Sequence, residues 1–555
     1  MSRTAIAGRA RWAAVLALAA ALLVAVAFLR TRREGGADRR FTGAHAGIQR
    51  FVSDDFGGIT LETLETNALP YKVLASALLM REERHAGKPI GLDALPDIFQ
   101  RYGFLSPERI ANWPEELPEP RSGLPLGIVA ADISSILPPL RIHAVNLGCA
   151  ACHAGVLYDA EGRPTREVWL GLPNTSIDLE RYTRDMYDSL GLAASDLSGL
   201  VGTLGRLFPD TGWRERMTLR RFVLPRVVDR MRALQSGLDA PAPFSNGGPG
   251  RTNGVAALKL VLGLLPRNQR ASEWGFTSIP DLASRGLRSS LLYDGFYAPV
   301  SDTRFAARSQ SDATPAHLHE LAAIVTFFTV PTMGMAPQRA EAAVPRVAEI
   351  MTGFLAHYRP PRFPGPIAEA KALSGREVYV ARCAPCHGQP SEELRDVAIV
   401  SFPNRLIPQV EMGTSPRRWQ AIDEPLIAAL QTSVIARYAA PARTGGYVAP
   451  ILSGLWATAP YLHNGSVPTV WDLMHPAERP ARFQVGGHRL DWAKLGIAGK
   501  RRGGDYLYPE GYVPWSEPEL YDTSQPGLEN TGHEREFADL TEDEKDVLLE
   551  YLKVL

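Results

Sequence analysis

The chain has 555 residues, room for about three or four domains of ordinary size, and its 45% hydrophobic and 22% charged residues are those of a soluble globular body. Lys+Arg and Asp+Glu balance at 60 each, which excludes the strong net field that selects nucleic acid or an anionic membrane surface as partner. The 49 glycines and 44 prolines call for many loops and short connections.

At the N-terminus, Arg3, Arg9 and Arg11 precede an apolar run from Trp12 to Leu29 that Arg30, Arg32 and Arg33 close. Residues 1–33 are read as a signal peptide or an N-terminal membrane anchor. Ala25-Val26-Ala27 offers a cleavage site, and the arginines just after it lean towards retention. On either reading the body is exported. Residues 34–57 form a tether or irregular lead-in. From Leu61 to about Arg109 apolar residues recur at helical spacing, as across Tyr71–Leu79. Pro114, Pro118, Pro120 and Pro125 then break regular structure. A short apolar stretch, Ile142 to Leu147, reads as extended or irregular and runs into Cys149-Ala150-Ala151-Cys152-His153. Helical patterns return between Thr175 and Leu234, and the turn residues of Ser245–Arg251 make a loop. A helix is predicted from about Thr314 to Val330, stopped by Pro331. Pro360, Pro361, Pro364 and Pro366 stiffen Tyr358–Ile367, and a domain boundary is placed there, giving units 34–364 and 365–555.

The second unit opens on a helix in which Gly375, Tyr379 and Cys383 share one face, followed by Cys383-Ala384-Pro385-Cys386-His387. The two pentapeptides hold all four cysteines of the chain, so none is left for a disulfide. Cys-x-x-Cys-His is the spacing of c-type haem attachment: both thiols add to the porphyrin as thioethers and the next histidine ligates iron from the proximal face. Zinc would want two Cys pairs close together, and a redox thiol pair has no use for histidine in the next position. The cofactor expected is therefore two covalent haem c groups, with Cys149, Cys152, Cys383 and Cys386 as anchors and His153 and His387 as iron ligands. A glycine at the place of Gly375 resembles the first helix of class I cytochromes c, where it lets the C-terminal helix cross closely. Thr541 with Glu544 forms a capping box for such a last helix, and Val547, Leu548, Tyr551 and Leu552 give it one apolar face. The fold class expected is mainly α, with two cytochrome c-type haem domains, long loops and few short strands, the C-terminal domain being class I cytochrome c-like.

Leu147–Gly155, Gly171-Leu172-Pro173-Asn174, Gly445–Pro450, Gly454–Thr469 and Gly532-His533-Glu534 together resemble the dihaem cytochrome c peroxidase superfamily, and within it the rubber-oxygenase-like branch. The resemblance covers most of residues 60–555 and is strongest after 365. It implies that the N-terminal haem reacts with peroxide or dioxygen while the C-terminal haem, six-coordinate, transfers electrons. Its second axial ligand is then His533, the late histidine of that branch. Met474, the choice by analogy with methionine-ligated peroxidases, ranks behind it with His475 and Met412. His463, in the Pro460–Gly465 block, orients a propionate or loop near the second haem. Trp456 and Tyr461 are candidates to lie between the haems. Arg251, in the loop expected at the distal face of the first haem, is the catalytic candidate: its cationic group can donate hydrogen bonds to bound oxygen or peroxide. Asn253 and Val255 depart from the pattern common in relatives there. Trp274 and Phe276 are candidate walls of an apolar pocket.

The expectation is an exported, periplasmic or inner-membrane-tethered dihaem oxidoreductase of peroxidase or oxygenase type. Its partners are a small periplasmic electron donor or acceptor and peroxide or dioxygen, and not nucleic acid. Calcium is a further cofactor the resemblance makes possible. The alternative is a pure electron-transfer dihaem cytochrome without substrate turnover.

Overall fold

The computed structural model describes residues 44–555 apart from 66, 121–122, 136–138 and 236–243. The expectation for residues 1–33 therefore lies outside the described residues. Among those residues no helix is long and apolar enough to cross a membrane.

Helices carry the bulk of the packing. Tyr71–Ala86 buries an unbroken stretch from Val73 to Met80, because it runs between the Leu179–Ser195 and Leu197–Leu207 helices and touches neighbours all round. Ala44–Ser53 lies against the π-helical turn Ile350–Leu355. A side chain at Gly47 would meet the Glu349 carbonyl at 2.5 Å. The helix foreseen near Thr314 spans Pro315–Thr329: Thr314 caps it by accepting from the His317 N–H, and proline stands at its first turn.

The strands are short, as expected, but not few. Among the described residues there are twenty-one, most of two to four residues. The glycine- and proline-rich connections pair into short ribbons, several of them across long sequence separations, that carry no periodic signal. The longest pair, Ile128–Ser135 with Leu140–Leu147, is an antiparallel hairpin in which Ile128 faces Leu147 and Ser135 faces Leu140. The stretch read as extended or irregular is thus a regular strand that delivers the chain into the first pentapeptide. A four-stranded sheet of Lys500–Arg502, Asp505–Leu507, Arg482–Val485 and Glu519–Asp522 fills the span before the last helix.

Buried apolar residues form two cores. One gathers residues from Ile48 to Tyr358, the other mostly residues from Tyr379 to Leu555. The partition does not follow the chain strictly: Ile422, Leu426 and Leu430 belong to the first core, Tyr158, Leu172 and Leu287 to the second. Sheets also cross, with Tyr297–Pro299 pairing Ala439–Pro441 and Arg308–Ser309 pairing Ile399–Phe402. Tyr358–Ile367, irregular throughout, is clamped to both halves. The Arg359 carbonyl accepts from the Trp169 indole at 2.9 Å and the Pro361 carbonyl from Trp456 at 3.2 Å.

In the second unit the helix Glu369–Arg382 crosses the last helix, Glu542–Leu552, at Gly375. A Cβ there would lie 2.0 Å from the Val547 carbonyl oxygen, so only glycine permits the approach. Tyr379 and Tyr551 pack at 5.4 Å between ring centroids beside the crossing, and the Thr541/Glu544 capping box starts the last helix.

Candidate functional site

The Glu369–Arg382 helix stops at Cys383, whose N–H reaches Tyr379 O at 2.8 Å, and the turn Ala384–His387 follows. Gly388, at φ +96°, lets the chain turn under Ile399 and Ser401, which a Cβ would meet at 2.7 and 2.8 Å. His387 Nδ1 lies 2.7 Å from the Pro450 carbonyl oxygen. A carbonyl only accepts, so Nδ1 carries the proton and Nε2 keeps its lone pair, the arrangement a metal-ligating histidine needs. Burial pushes the imidazole down to about 4, with His533 the next cause, which leaves the ring neutral at pH 7.

His533 faces it. The ring centroids are 6.2 Å apart and the planes 33° from parallel. Two metal–imidazole bonds of about 2 Å each, with about 1 Å from each ring nitrogen to its centroid, span roughly 6 Å, so the pair fits one metal held between them. His533 itself stands in the left-handed region at φ 65°. Arg479, with its side chain only 4% exposed, fixes that backbone. It donates to the carbonyls of Asn530 at 2.6 Å and Gly532 at 2.8 Å, and to Glu534 at 2.9 Å. Burial also pushes His533 down to about 4, with the Arg479 charge adding to the effect.

The first pentapeptide is held by backbone. Gly148 N–H donates to Gly127 O at 2.7 Å, Asn174 N–H to Cys152 O at 2.7 Å, and Gly171 N–H to His153 O at 2.8 Å. The Asn174 side chain adds a bond to Ala151 O at 3.2 Å. Gly127, at φ +83°, lies so close to the motif that a Cβ would stand 1.9 Å from Ala151 N. Burial pushes His153 down to about 3, helped by the charge of Arg285 and opposed by the carbonyl of Pro280. Unlike His387, its buried Nδ1 closes no hydrogen bond. Among the described residues no second histidine ring stacks opposite it, in contrast to His387. No two of the four cysteines are joined by a disulfide. Burial lifts Cys149, Cys152 and Cys383 to about 12 and raises Cys386. None is the stabilised thiolate of a redox Cys pair.

Both pentapeptides line one cavity of about 2200 Å³, more than twice the roughly 300–1,000 Å³ of an ordinary ligand pocket. Cys149, Cys152, His153, Cys383, Cys386, His387 and His533 all reach it. Paired thiols, a neutral histidine beside each pair and a space of this size fit covalently held tetrapyrrole. Among the described residues no group of three or more His, Cys, Asp or Glu is placed to hold a free metal ion.

The other sequence candidates divide. His463, Tyr461 and Met412 reach the cavity wall. His463 packs on Tyr447 at 4.5 Å between centroids, hydrogen bonds Thr414 through Nδ1 at 3.3 Å, and burial pushes it down to about 3. Met474 is buried in the second core, and His475 is tied to Trp471 O and Glu542 outside the cavity. Trp456 lies off the wall, packed against Phe363 and Trp492. Trp274 and Phe276 also lie off it: Arg417 covers the first, and the second packs on Gly247 and Gly527.

Arg251 requires a correction. Its neighbours Thr252 and Asn253 reach the cavity and it does not. Its guanidinium lies 4.3 Å from the Tyr521 ring centroid, bonds the Gly247 carbonyl, and faces the carboxylates of Glu519, Asp178 and Glu180. Carboxylates and an aromatic face draw the cation inward, away from the distal position foreseen for it. The sequence reading missed Pro450, Arg479, Arg285 and Arg288. A carbonyl has no sequence signature, and an arginine shows its burial only in three dimensions.

A family profile described as RoxA-like, cytochrome c-like matches residues 446–484. The chain is 30% identical to the uncharacterized protein y4iM of Sinorhizobium fredii (strain NBRC 101917 / NGR234) over 241 residues, covering 37% of this chain and 53% of that protein. It is 30% identical to the uncharacterized protein y4iJ of the same organism over 268 residues, covering 36% of this chain and 41% of that protein. The chain thus matches about half the length of these curated relatives. The profile lies in the segment that carries Tyr447, Pro450, Tyr461 and His463, so residues 446–484 are similar to part of a RoxA-like cytochrome c-like domain, a kind that carries covalently bound haem c.

Proposed function

We propose that this protein is an exported dihaem c-type cytochrome oxidoreductase of peroxidase or oxygenase type. The observation that carries the reading is the asymmetry of one shared cavity: His387 is faced by His533, whereas His153 has no such partner ring among the described residues. Bound haem c supplies the one-electron and oxygen chemistry that no side chain here can perform. Cys149, Cys152 and His153 hold it at the N-terminal station; Cys383, Cys386, His387 and His533 hold it at the C-terminal one. Pro450 fixes the His387 tautomer, and Arg479 fixes the backbone of His533. With haem held there, the N-terminal station would supply the chemistry for peroxide or dioxygen, His153 being its ligand from this chain. The C-terminal station, held by His387 and His533, would supply electron exchange with a small periplasmic partner. The N-terminal segment, residues 1–33, directs export and either leaves as a signal peptide or stays as an inner-membrane tether.

The test is intact mass and optical spectroscopy of protein matured where c-type haem is attached. A gain of two haem masses, one low-spin species unreactive to carbon monoxide and one that binds it, is expected. A gain of none or one overturns the dihaem reading. Two groups, neither reacting with carbon monoxide, peroxide or oxygen in any redox state, would replace the enzyme with an electron-transfer cytochrome.

A further inference from the structure

We propose that Arg285 and Arg288 are the carboxylate receptors of the cavity, taking propionate side chains of bound tetrapyrrole on the wall shared by the two pentapeptides. The inference deepens the dihaem reading and rests on it.

Both arginines reach the cavity. Arg288 is only 6% exposed and lies 5.3 Å from the Phe402 ring centroid, yet each hydrogen bond its guanidinium donates goes to a backbone carbonyl: Ser290 at 3.2 Å, Ala449 at 3.1 Å and Leu292 at 3.4 Å. Arg285 donates to the carbonyl of Asp281, and its buried Nε has no partner. Neither forms an ion pair among the described residues. A buried cation is ordinarily paired, and here two lie close enough for Arg285 to destabilise the charge on Arg288. The acidic and phenolic groups around them are Asp281, Tyr293 and Tyr358. Asp281 is already engaged, accepting from Tyr358 Oη at 2.9 Å and from the Ala283 N–H at 2.6 Å. Another arginine on the wall, the buried Arg418, differs: it is ion-paired with Asp294 at 2.8 Å.

Position adds to charge. Arg285 acts on His153, beside which stands Pro280. Arg288 bonds Ala449, next to the Pro450 carbonyl that holds His387. An anion held by the two guanidiniums would therefore be linked to the surroundings of both His153 and His387. A planar fork of N–H donors suits a carboxylate, and the carboxylates that haem c itself brings into this cavity are its propionates.

Full-length Arg285→Gln and Arg288→Gln, matured with haem, test this against Arg251→Gln, a buried arginine off the wall. Intact mass comes first: thioether anchoring should leave haem content equal to wild type. Spectroelectrochemistry from pH 5 to 8 should then show a lower midpoint potential in each wall variant, by roughly a tenfold change in the one-electron equilibrium, about 59 mV. Arg251→Gln should not move. Unchanged potentials in both wall variants, or an equal shift in Arg251→Gln, overturn the proposal. If the glutamine variants do not accumulate, Arg285→Lys and Arg288→Lys decide it: the charge stays, the fork is lost, and the propionate-bending band in resonance Raman spectra should shift. An unmoved band overturns the assignment. Wild type without two haem masses sinks the dihaem reading and this inference together; loaded wild type with unmoved variants sinks this inference alone.

Discussion

His387 and His533 face each other with ring centroids 6.2 Å apart, although one ends a helical turn and the other rides on a left-handed residue. Each ring is neutral at pH 7 because burial disfavours its charged form. The pair can therefore act as ligand on both sides of one iron. His533→Ala should convert the low-spin bis-histidine spectrum of the C-terminal station into a high-spin, carbon monoxide-binding one, with haem content unchanged. A low-spin spectrum that persists in the variant would mean another side chain is the ligand.

Arg479 holds the His533 loop through the carbonyls of Gly532, Asn530 and Leu473. Arg479→Gln leaves these oxygens without a charged donor. The loss should cost about 2 kcal/mol of stability, read in urea unfolding. It should also raise the high-spin fraction at the C-terminal station. Stability loss with an unchanged spectrum would limit Arg479 to a structural role.

Two glycine-to-alanine changes should act in opposite directions. Gly375→Ala forces a methyl onto the Val547 carbonyl and should destabilise by about 3 kcal/mol. Gly202→Ala, within the helix Leu197–Leu207 and with nothing inside 4 Å of its added carbon, should stabilise by roughly 0.5–1 kcal/mol. Thermal melts of the two variants check both signs.

Asp281 carries a pH signature. Burial lifts its carboxyl to about 7, against the opposing effect of hydrogen bonds from Ala283 and Tyr358 and the charge of Arg285. Its folded pKa exceeds its unfolded one, so between about pH 4 and pH 7 the folded state binds more protons and stability falls as pH rises. Asp281→Asn should remove that decline, and denaturant titrations at pH 5 and pH 7.5 measure it. A slope identical to wild type would exclude Asp281 as its source.

Local features were legible in the sequence. The Thr541/Glu544 capping box, the Gly375 crossing and the helix that begins near Thr314 each depend on residues three or four positions apart, or on a residue with no side chain to accommodate. The two pentapeptides were legible for the same reason. What pairs across long separations was not. Three-residue ribbons such as Tyr297–Pro299 with Ala439–Pro441 are too short to show alternation. Loop composition around Gly248 gave the turn but not the direction of Arg251, which is set by Tyr521 and three carboxylates from other parts of the chain. The assignment of Ile422–Leu430 to the first core was hidden as well, since a buried helix face does not say which core it joins.

The close seating of Gly127 on Ala151 has a consequence for biogenesis. With that loop seated on Ala151, Cys149 and Cys152 face the cavity. On the dihaem reading proposed above, thioether formation would come before the hairpin closes over the pentapeptide, with covalent modification first and final compaction second.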